Sequence, residues 1–159
     1  MRTIDVSFIL NGSKKNLKSD PNKTLLDVIR DDFGLTGAKD ACGGEGECGA
    51  CTVLMDGYPV NSCLIFVGQA EGMNITTIEG LAPEGEYHPI QEAFVSAGAV
   101  QCGYCTPGAV LAVKAILDKN SHPSDYLIKE GLSGNLCRCT GYTKMVDAVQ
   151  IAAEVLSDD

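Results

Sequence analysis

Eight cysteines in 159 residues are the side chains whose type and spacing promise chemistry. They fall into two sets of four. Cys42, Cys48, Cys51 and Cys63 are spaced C-x5-C-x2-C-x11-C, and Cys102, Cys105, Cys137 and Cys139 are spaced C-x2-C-x31-C-x-C. Four thiolates suit either a tetrahedral zinc ion or an iron–sulfur cluster. Disulfides fit less well. The chain opens Met1-Arg2-Thr3-Ile4-Asp5 with no basic segment leading into an apolar one, so no signal peptide is expected. The expected location is cytoplasmic, where structural disulfides are rare. Cys137-Arg138-Cys139 could not close on itself without strain.

The first quartet leans toward iron–sulfur. Gly43, Gly44, Gly46 and Gly49 crowd its loop and free the backbone to turn N–H groups inward, toward sulfur. A thiolate-ligated cluster is an extended anion, and such contacts stabilise it and tune its potential. Three of the cysteines come from one ten-residue loop, similar to the plant-type ferredoxin run with a distant fourth Cys. A structural zinc knuckle is the alternative. The second quartet taken alone stays open between zinc and iron. Its two pairs precede two expected helices, so a centre held there faces two positive helix ends, which favour an anion.

Other motifs fail. Gly44-Glu45-Gly46-Glu47-Cys48-Gly49 matches G-x-G-x-x-G in letters, but puts two carboxylates where a pyrophosphate would sit. Cys102-Gly103-Tyr104-Cys105 lacks the βαβ surroundings of a thioredoxin-type pair. His88 and His122 are the only histidines, neither at Rieske-type spacing, and each reads as a solvated loop residue beside a proline. No Ser/His/Asp set is visible.

The elements that must position the cysteines divide by texture. Ile4, Val6, Phe8 and Leu10 alternate as a strand, Asn11-Gly12 signals a tight hairpin, and Ser13 to Leu17 should return. Thr24 caps a helix with Leu25, Leu26, Ile29 and Phe33 on one face, ending near Gly34. The loop Gly37 to Cys51 leads to a strand at Thr52 to Met55, a turn at Asp56-Gly57, a return through Val60, and a strand at Asn74 to Ile78. Glu79 to Pro89 reads as a connection. Helices then follow at Pro89 to Ala97, from a Thr106 cap through Lys119, at Ser124 to Glu130, and along Tyr142, Val146, Val149, Ala153 and Leu156. The fold expected is α+β, with a mixed domain over 1–80 and a four-helix domain over 81–159.

Composition excludes several classes. Twenty-one acids against twelve bases give a net charge of −9, no footprint for nucleic acid or an anionic membrane. No apolar run approaches the roughly 20 residues of a membrane span. A 45% hydrophobic content argues against disorder.

Three stretches carry a family resemblance. Glu47-Cys48-Gly49-Ala50-Cys51-Thr52-Val53, Gln101-Cys102-Gly103-Tyr104-Cys105-Thr106-Pro107-Gly108 and Gly134-Asn135-Leu136-Cys137-Arg138-Cys139-Thr140-Gly141-Tyr142 occur in fixed order. The chain resembles the iron–sulfur (small) subunit of the molybdenum hydroxylases, the xanthine dehydrogenase family. The resemblance implies a β-grasp ferredoxin-like domain with one [2Fe–2S] cluster, then a four-helix domain with a second. By position, Cys102, Cys105, Cys137 and Cys139 would hold the cluster proximal to molybdopterin. Cys42, Cys48, Cys51 and Cys63 would hold the distal one, with the backbone of Gly43, Gly44, Gly46 and Gly49 around it. Gln101 and Cys139 would lie near the molybdopterin. One departure stands out: the family usually shows C-x4-C with Gly before the first cysteine, whereas here the spacing is C-x5-C and Ala41 precedes Cys42. The extra residue falls in Cys42-Gly43-Gly44, where glycines can absorb it through positive φ.

The function implied is electron transfer within an oxidoreductase complex, with no substrate chemistry on this chain. Electrons would pass from a molybdenum centre on a large molybdopterin-binding subunit, through the two clusters, to FAD on a medium subunit, in a dimer of heterotrimers. The substrate implied is an N-heterocycle such as xanthine or nicotinate, with aldehydes, CO or aromatic acyl-CoA as alternatives. Two rival readings are a free-standing two-cluster ferredoxin and a zinc-stabilised interaction module. Against the free carrier stand Gln101 and a second cluster expected inside a helical bundle rather than near a surface.

Overall fold

The expected alternation of Ile4, Val6, Phe8 and Leu10 produces β1 (Ile4–Leu10), with Val6, Phe8 and Leu10 buried. The computed structural model describes residues 2–157; Met1 and positions 158 and 159, which end the expected second domain, lie outside the described residues. Asn11 (φ 50°) and Gly12 (φ 76°) make the tight turn, and β2 (Ser13–Ser19) returns antiparallel, two residues longer than expected. β3 (Thr52–Met55) and β4 (Tyr58–Asn61) form a second hairpin, and β5 (Asn74–Thr76) completes a sheet ordered β2-β1-β5-β3-β4. β1 and β5 run parallel in the centre, and the other pairings are antiparallel.

β5 stops at Thr76, short of the Ile78 expected from sequence. The reason lies across the sheet. Thr77 gives its backbone N–H to Asn11 Oδ1 at 2.9 Å, and Asn11 Nδ2 donates to Thr77 Oγ1 at 2.9 Å. With that N–H taken by a side chain, the chain turns into a short 3₁₀ segment at Ile78–Gly80.

Helix α1 (Leu25–Asp27) starts where Thr24 predicts. Thr24 Oγ1 accepts from Asp27 N–H at 3.1 Å, while Asp27 accepts from Thr24 N–H at 3.0 Å. It then widens into a π turn at Val28–Asp32, with Phe33 N–H donating to the Val28 carbonyl, a feature absent from the sequence reading. Leu25, Leu26, Val28 and Ile29 are buried with Val6, Phe8, Val53, Val67 and Ile75 in one core.

The second core belongs to α2 (Pro89–Ser96), α3 (Thr106–Lys119), α4 (Asp125–Gly131) and α5 (Thr143–Ser157). Two details differ from expectation. The residue before α3 is Cys105, without a side-chain cap, and Thr106 is already helical. His88 is no solvated loop residue: half-buried, it caps α2 by accepting from Ile90 N–H on Nδ1 at 3.2 Å, and Gln91 Oε1 accepts from His88 N–H at 2.8 Å. Burial first, then the Lys114 charge, holds the imidazole below its ordinary pKa.

Helix α3 is buried almost all round, Gly108 to Val113 continuously, because both halves claim it. One side packs in the helical core, and the other places Leu111 and Ala115 against Leu54 of β3. The two cores therefore share a seam rather than a linker. No helix among the described residues is long and apolar enough to cross a membrane.

Candidate metal centres

The β3–β4 register builds half of the first quartet. Thr52 lies opposite Asn61, so Cys51 just before β3 and Cys63 just after β4 meet at the open end of the hairpin, Sγ to Sγ 3.4 Å. Ser62 tightens that end by donating its hydroxyl to the Cys51 carbonyl at 2.7 Å, and Asn61 Nδ2 reaches the Gly46 carbonyl at 2.7 Å. Cys42 and Cys48 form the other pair, each half-buried and hydrogen-bonded thiol to thiol. Cys51 and Cys63 are buried.

The glycine loop behaves as its composition implies. Gly43, Gly44, Gly46 and Gly49 all have φ between 68° and 83°. Backbone N–H groups of Glu47, Cys48 and Glu45 bond to the Cys42 sulfur and bring its thiol down to about 7. Burial, followed by the neighbouring Cys51 thiol, pushes Cys63 up to about 12. At the C-x5-C segment the two glycines named from sequence both take positive φ. Gly43 and Gly44 are consecutive positive-φ residues, and the Asp40 carboxylate accepts from both their N–H groups at 2.8 and 3.2 Å.

The second quartet stands at two helix starts. Cys102 and Cys105 precede α3, and Cys137 and Cys139 precede α5. Here too the sulfurs pair. Cys102 and Cys139 are 3.5 Å apart, and Cys105 bonds Cys137. Burial and the Cys137 thiol raise Cys105 to about 12. Burial also opposes ionisation of Cys137, but the Thr140 hydroxyl at 3.1 Å and the Thr140 N–H at 3.4 Å outweigh it and bring that thiol to about 7. Tyr142, at φ 68°, accepts the Cys137 N–H on its hydroxyl at 2.8 Å and fixes the turn into α5.

Exposure corrects one expectation. The second quartet does not lie inside the helical bundle: Cys102 and Cys139 are exposed on this chain, as is Gln101. Val100, Tyr104 and Leu136, close to them in sequence, are 38%, 44% and 55% exposed. Embedding cannot therefore be an argument against a free carrier.

All eight cysteines sit in sulfur–sulfur pairs, Cys51 with Cys63, Cys102 with Cys139, Cys42 with Cys48 and Cys105 with Cys137. Two thiolates side by side, twice over, match a two-iron centre, in which each iron takes two terminal ligands. The donor chemistry and the inward N–H groups fit such a cluster in both quartets.

Sequence reasoning missed what joins the quartets. Asn135 is buried, 6% exposed, and its Nδ2 donates to the Gly49 carbonyl at 3.0 Å and to Thr52 Oγ1 at 3.1 Å. Thr52 in turn donates its hydroxyl to the Gly49 carbonyl at 2.7 Å. A Cβ on Gly49 would strike the Gly134 carbonyl, and one on Gly108 would strike the Gly49 carbonyl. The only signal in the sequence was an Asn two positions before a ligand candidate; its partners lie more than eighty residues away.

Known proteins match along nearly the whole chain. Residues 8–71 match the family model described as a 2Fe-2S iron-sulfur cluster binding domain, and residues 77–150 the one described as a [2Fe-2S] binding domain. The chain is 52% identical to the nicotinate dehydrogenase small FeS subunit of Eubacterium barkeri, covering 97% of this chain and 98% of that one. It is 44% identical to the xanthine dehydrogenase iron-sulfur-binding subunit of Escherichia coli O157:H7, covering 92% of each. Among solved structures, quinoline 2-oxidoreductase from Pseudomonas putida 86 superposes with a TM-score of 0.94 at 39% identity, over 99% of this chain and 98% of that chain.

Proposed function

The chain belongs to the iron–sulfur subunits of the molybdenum hydroxylase family, and on that premise we propose that its eight cysteines divide into two ligand sets. It is an electron-transfer subunit of an oxidoreductase complex, carries two [2Fe–2S] clusters and works with larger partner subunits. In our reading Cys42, Cys48, Cys51 and Cys63 hold the distal cluster, and Cys102, Cys105, Cys137 and Cys139 the proximal one. The observation that carries this is the pairing of sulfurs, Cys51 with Cys63 and Cys102 with Cys139. When bound, each cluster takes up and releases a single electron. The chain's own residues do the rest: the positive-φ glycines turn N–H groups onto sulfur, Thr140 donates to Cys137, and the Asn135 junction holds the two loops at a fixed separation.

The partners in this reading are a large molybdopterin-binding subunit and a medium FAD-binding subunit, assembled as a dimer of heterotrimers in the cytoplasm. Exposed Val100, Tyr104 and Leu136, close in sequence to exposed Cys102 and Cys139, support docking of the large subunit there, with Gln101 and Cys139 facing the molybdopterin. An N-heterocycle is the substrate class, nicotinate first, because the nicotinate dehydrogenase small subunit is similar over almost its full length. A division at residues 80 and 81 is supported by the fully buried residues of the two cores, which lie at 6–75 and 90–153, while Ile78 and Leu81 at the junction pack against the second.

Metal and sulfide analysis of anaerobically purified protein tests the cluster assignment. Iron and labile sulfide in equal amounts are expected, and stoichiometric zinc in their place would overturn it. Co-purification tests the partners: recovery of holo-protein as a monomer from its native host would refute the complex. Turnover of nicotinate by the purified complex, against xanthine and an aldehyde, tests the substrate.

A further inference from the structure

The loop bearing the first ligands is tethered sparsely. From Asp40 to Glu47, no described residue makes a backbone-to-backbone hydrogen bond. Asp40 and Ala41 are exposed, so packing holds them weakly. At its far end the loop is fixed by Asn61 on the Gly46 carbonyl and by the Asn135 junction. At its near end, the Asp40 carboxylate clamps Gly43 and Gly44, but something must hold Asp40.

That anchor comes from the other quartet. Tyr104, between Cys102 and Cys105, donates its hydroxyl to the Asp40 carbonyl at 2.5 Å, across 64 positions of sequence. The ring is steadied in turn by Lys39, whose ammonium lies 5.7 Å from its centroid. Lys39 is itself fixed by its backbone N–H on the Ala50 carbonyl at 2.9 Å and its ammonium on the Gly37 carbonyl at 2.8 Å. A chain of contacts thus runs Tyr104 hydroxyl, Asp40 backbone, Asp40 carboxylate, Gly43 and Gly44 N–H, Cys42.

We propose that Tyr104, although it sits in the second quartet, is a positioning residue for the first cluster, holding the Cys42–Gly44 turn through Asp40. The proposal rests on the reading that Cys42 ligates that cluster. The turn needs such a hold because two consecutive positive-φ glycines make it pliable. The hydroxyl limits that freedom. With it in place, the N–H groups of Glu45, Glu47 and Cys48 stay aimed at the Cys42 sulfur. Fewer donors on a cluster's thiolates lower its reduction potential.

The test is Tyr104→Phe in the assembled complex, with Tyr126→Phe, a hydroxyl on the exposed face of α4, as control. Iron content, EPR spectra and redox titrations are read for both clusters, and Cys42→Ser marks which EPR signal belongs to the first. We expect Tyr104→Phe to shift that signal's g-values and move its midpoint to lower potential, with the second signal and the control unchanged. Loss of iron from the first cluster alone supports the same role more strongly. A first signal and midpoint identical to the control, a shift confined to the second signal, or loss of both clusters together would each overturn it. If Cys42→Ser leaves both signals intact, the ligand assignment fails instead, and is recognised separately.

Discussion

Leu136 donates its backbone N–H to the carbonyl of Cys48 at 2.9 Å, so a single hydrogen bond joins the neighbour of Cys137 to a cysteine of the other quartet. Asn135 adds its buried amide one residue earlier, against Gly49. The ligand candidates of the two centres are thus linked through backbone that cannot move independently. For a protein that passes electrons between two carriers, a rigid junction fixes the separation on which transfer depends.

Asn135 is the side chain that makes this junction testable. Asn135→Ala removes both Nδ2 bonds while the Gly49 carbonyl keeps the Thr52 hydroxyl and N–H, so the loss of two buried hydrogen bonds is a cost of about 1–3 kcal/mol in denaturant unfolding of the holo-protein. Asn135→Asp is expected to be worse than alanine despite its shape, because a carboxylate oxygen then faces the Gly49 carbonyl. An aspartate variant as stable as the alanine one would show that the amide does not donate there.

Gly108→Ala should destabilise even though alanine ordinarily favours a helix interior by roughly 0.5–1 kcal/mol over glycine. The added Cβ meets the Gly49 carbonyl, and α3 must part from the first loop, at a cost of about 1–3 kcal/mol. Gly134→Ala is the control: its Cβ would meet nothing within 4 Å, so its melting temperature should stay close to that of the parent. Equal behaviour of the two variants would contradict the close approach.

Cys139→Ala should remove the proximal cluster, halve the iron, stop turnover and leave the distal EPR signal. Cys139 is exposed and belongs to neither core, so that loss does not come from a packing defect. Retention of both signals would show the ligand assignment to be wrong.

His88 gives the helical half a pH dependence of known sign. Its Nδ1 must stay unprotonated to accept the Ile90 N–H, and burial with the nearby Lys114 charge, partly countered by Asp118, holds its pKa below 6.5. The unfolded chain therefore binds the proton first. The stabilisation is intact above about 6.5 and fades as pH falls through the lowered folded-state value. Melting temperatures from about pH 7.5 to 5.5 should decline more steeply for the parent than for His88→Asn, which keeps a capping acceptor without titrating. Parallel slopes would remove His88 as the cause.

Much of the fold was legible because its signals are local. The alternation in β1, the Asn11-Gly12 turn, the Thr24 cap and the Asp56-Gly57 turn each depend on neighbours within a few residues, and each forms as read. Where the reading slipped, a distant partner intervened. β5 ends early because Asn11 takes the Thr77 N–H, and His88, whose capping partners Ile90 and Gln91 are local, has its pKa lowered by burial and by Lys114 of α3 rather than lying solvated in a loop.

The candidate centres divide the same way. Cysteine spacing alone sorted eight thiols into two sets, since ligands of one centre cluster in sequence around turns and helix starts. Which sulfurs pair, Cys51 with Cys63 and Cys102 with Cys139, was settled only by the β3–β4 register and by the meeting of two helix N-termini. That Asn135 and Tyr104 serve the opposite quartet could not be read from composition or period. Their partners, Gly49 and Asp40, are 86 and 64 positions away, and only the folding of α3 onto β3 brings hydrogen-bonding groups so remote in sequence within 3.0 and 2.5 Å.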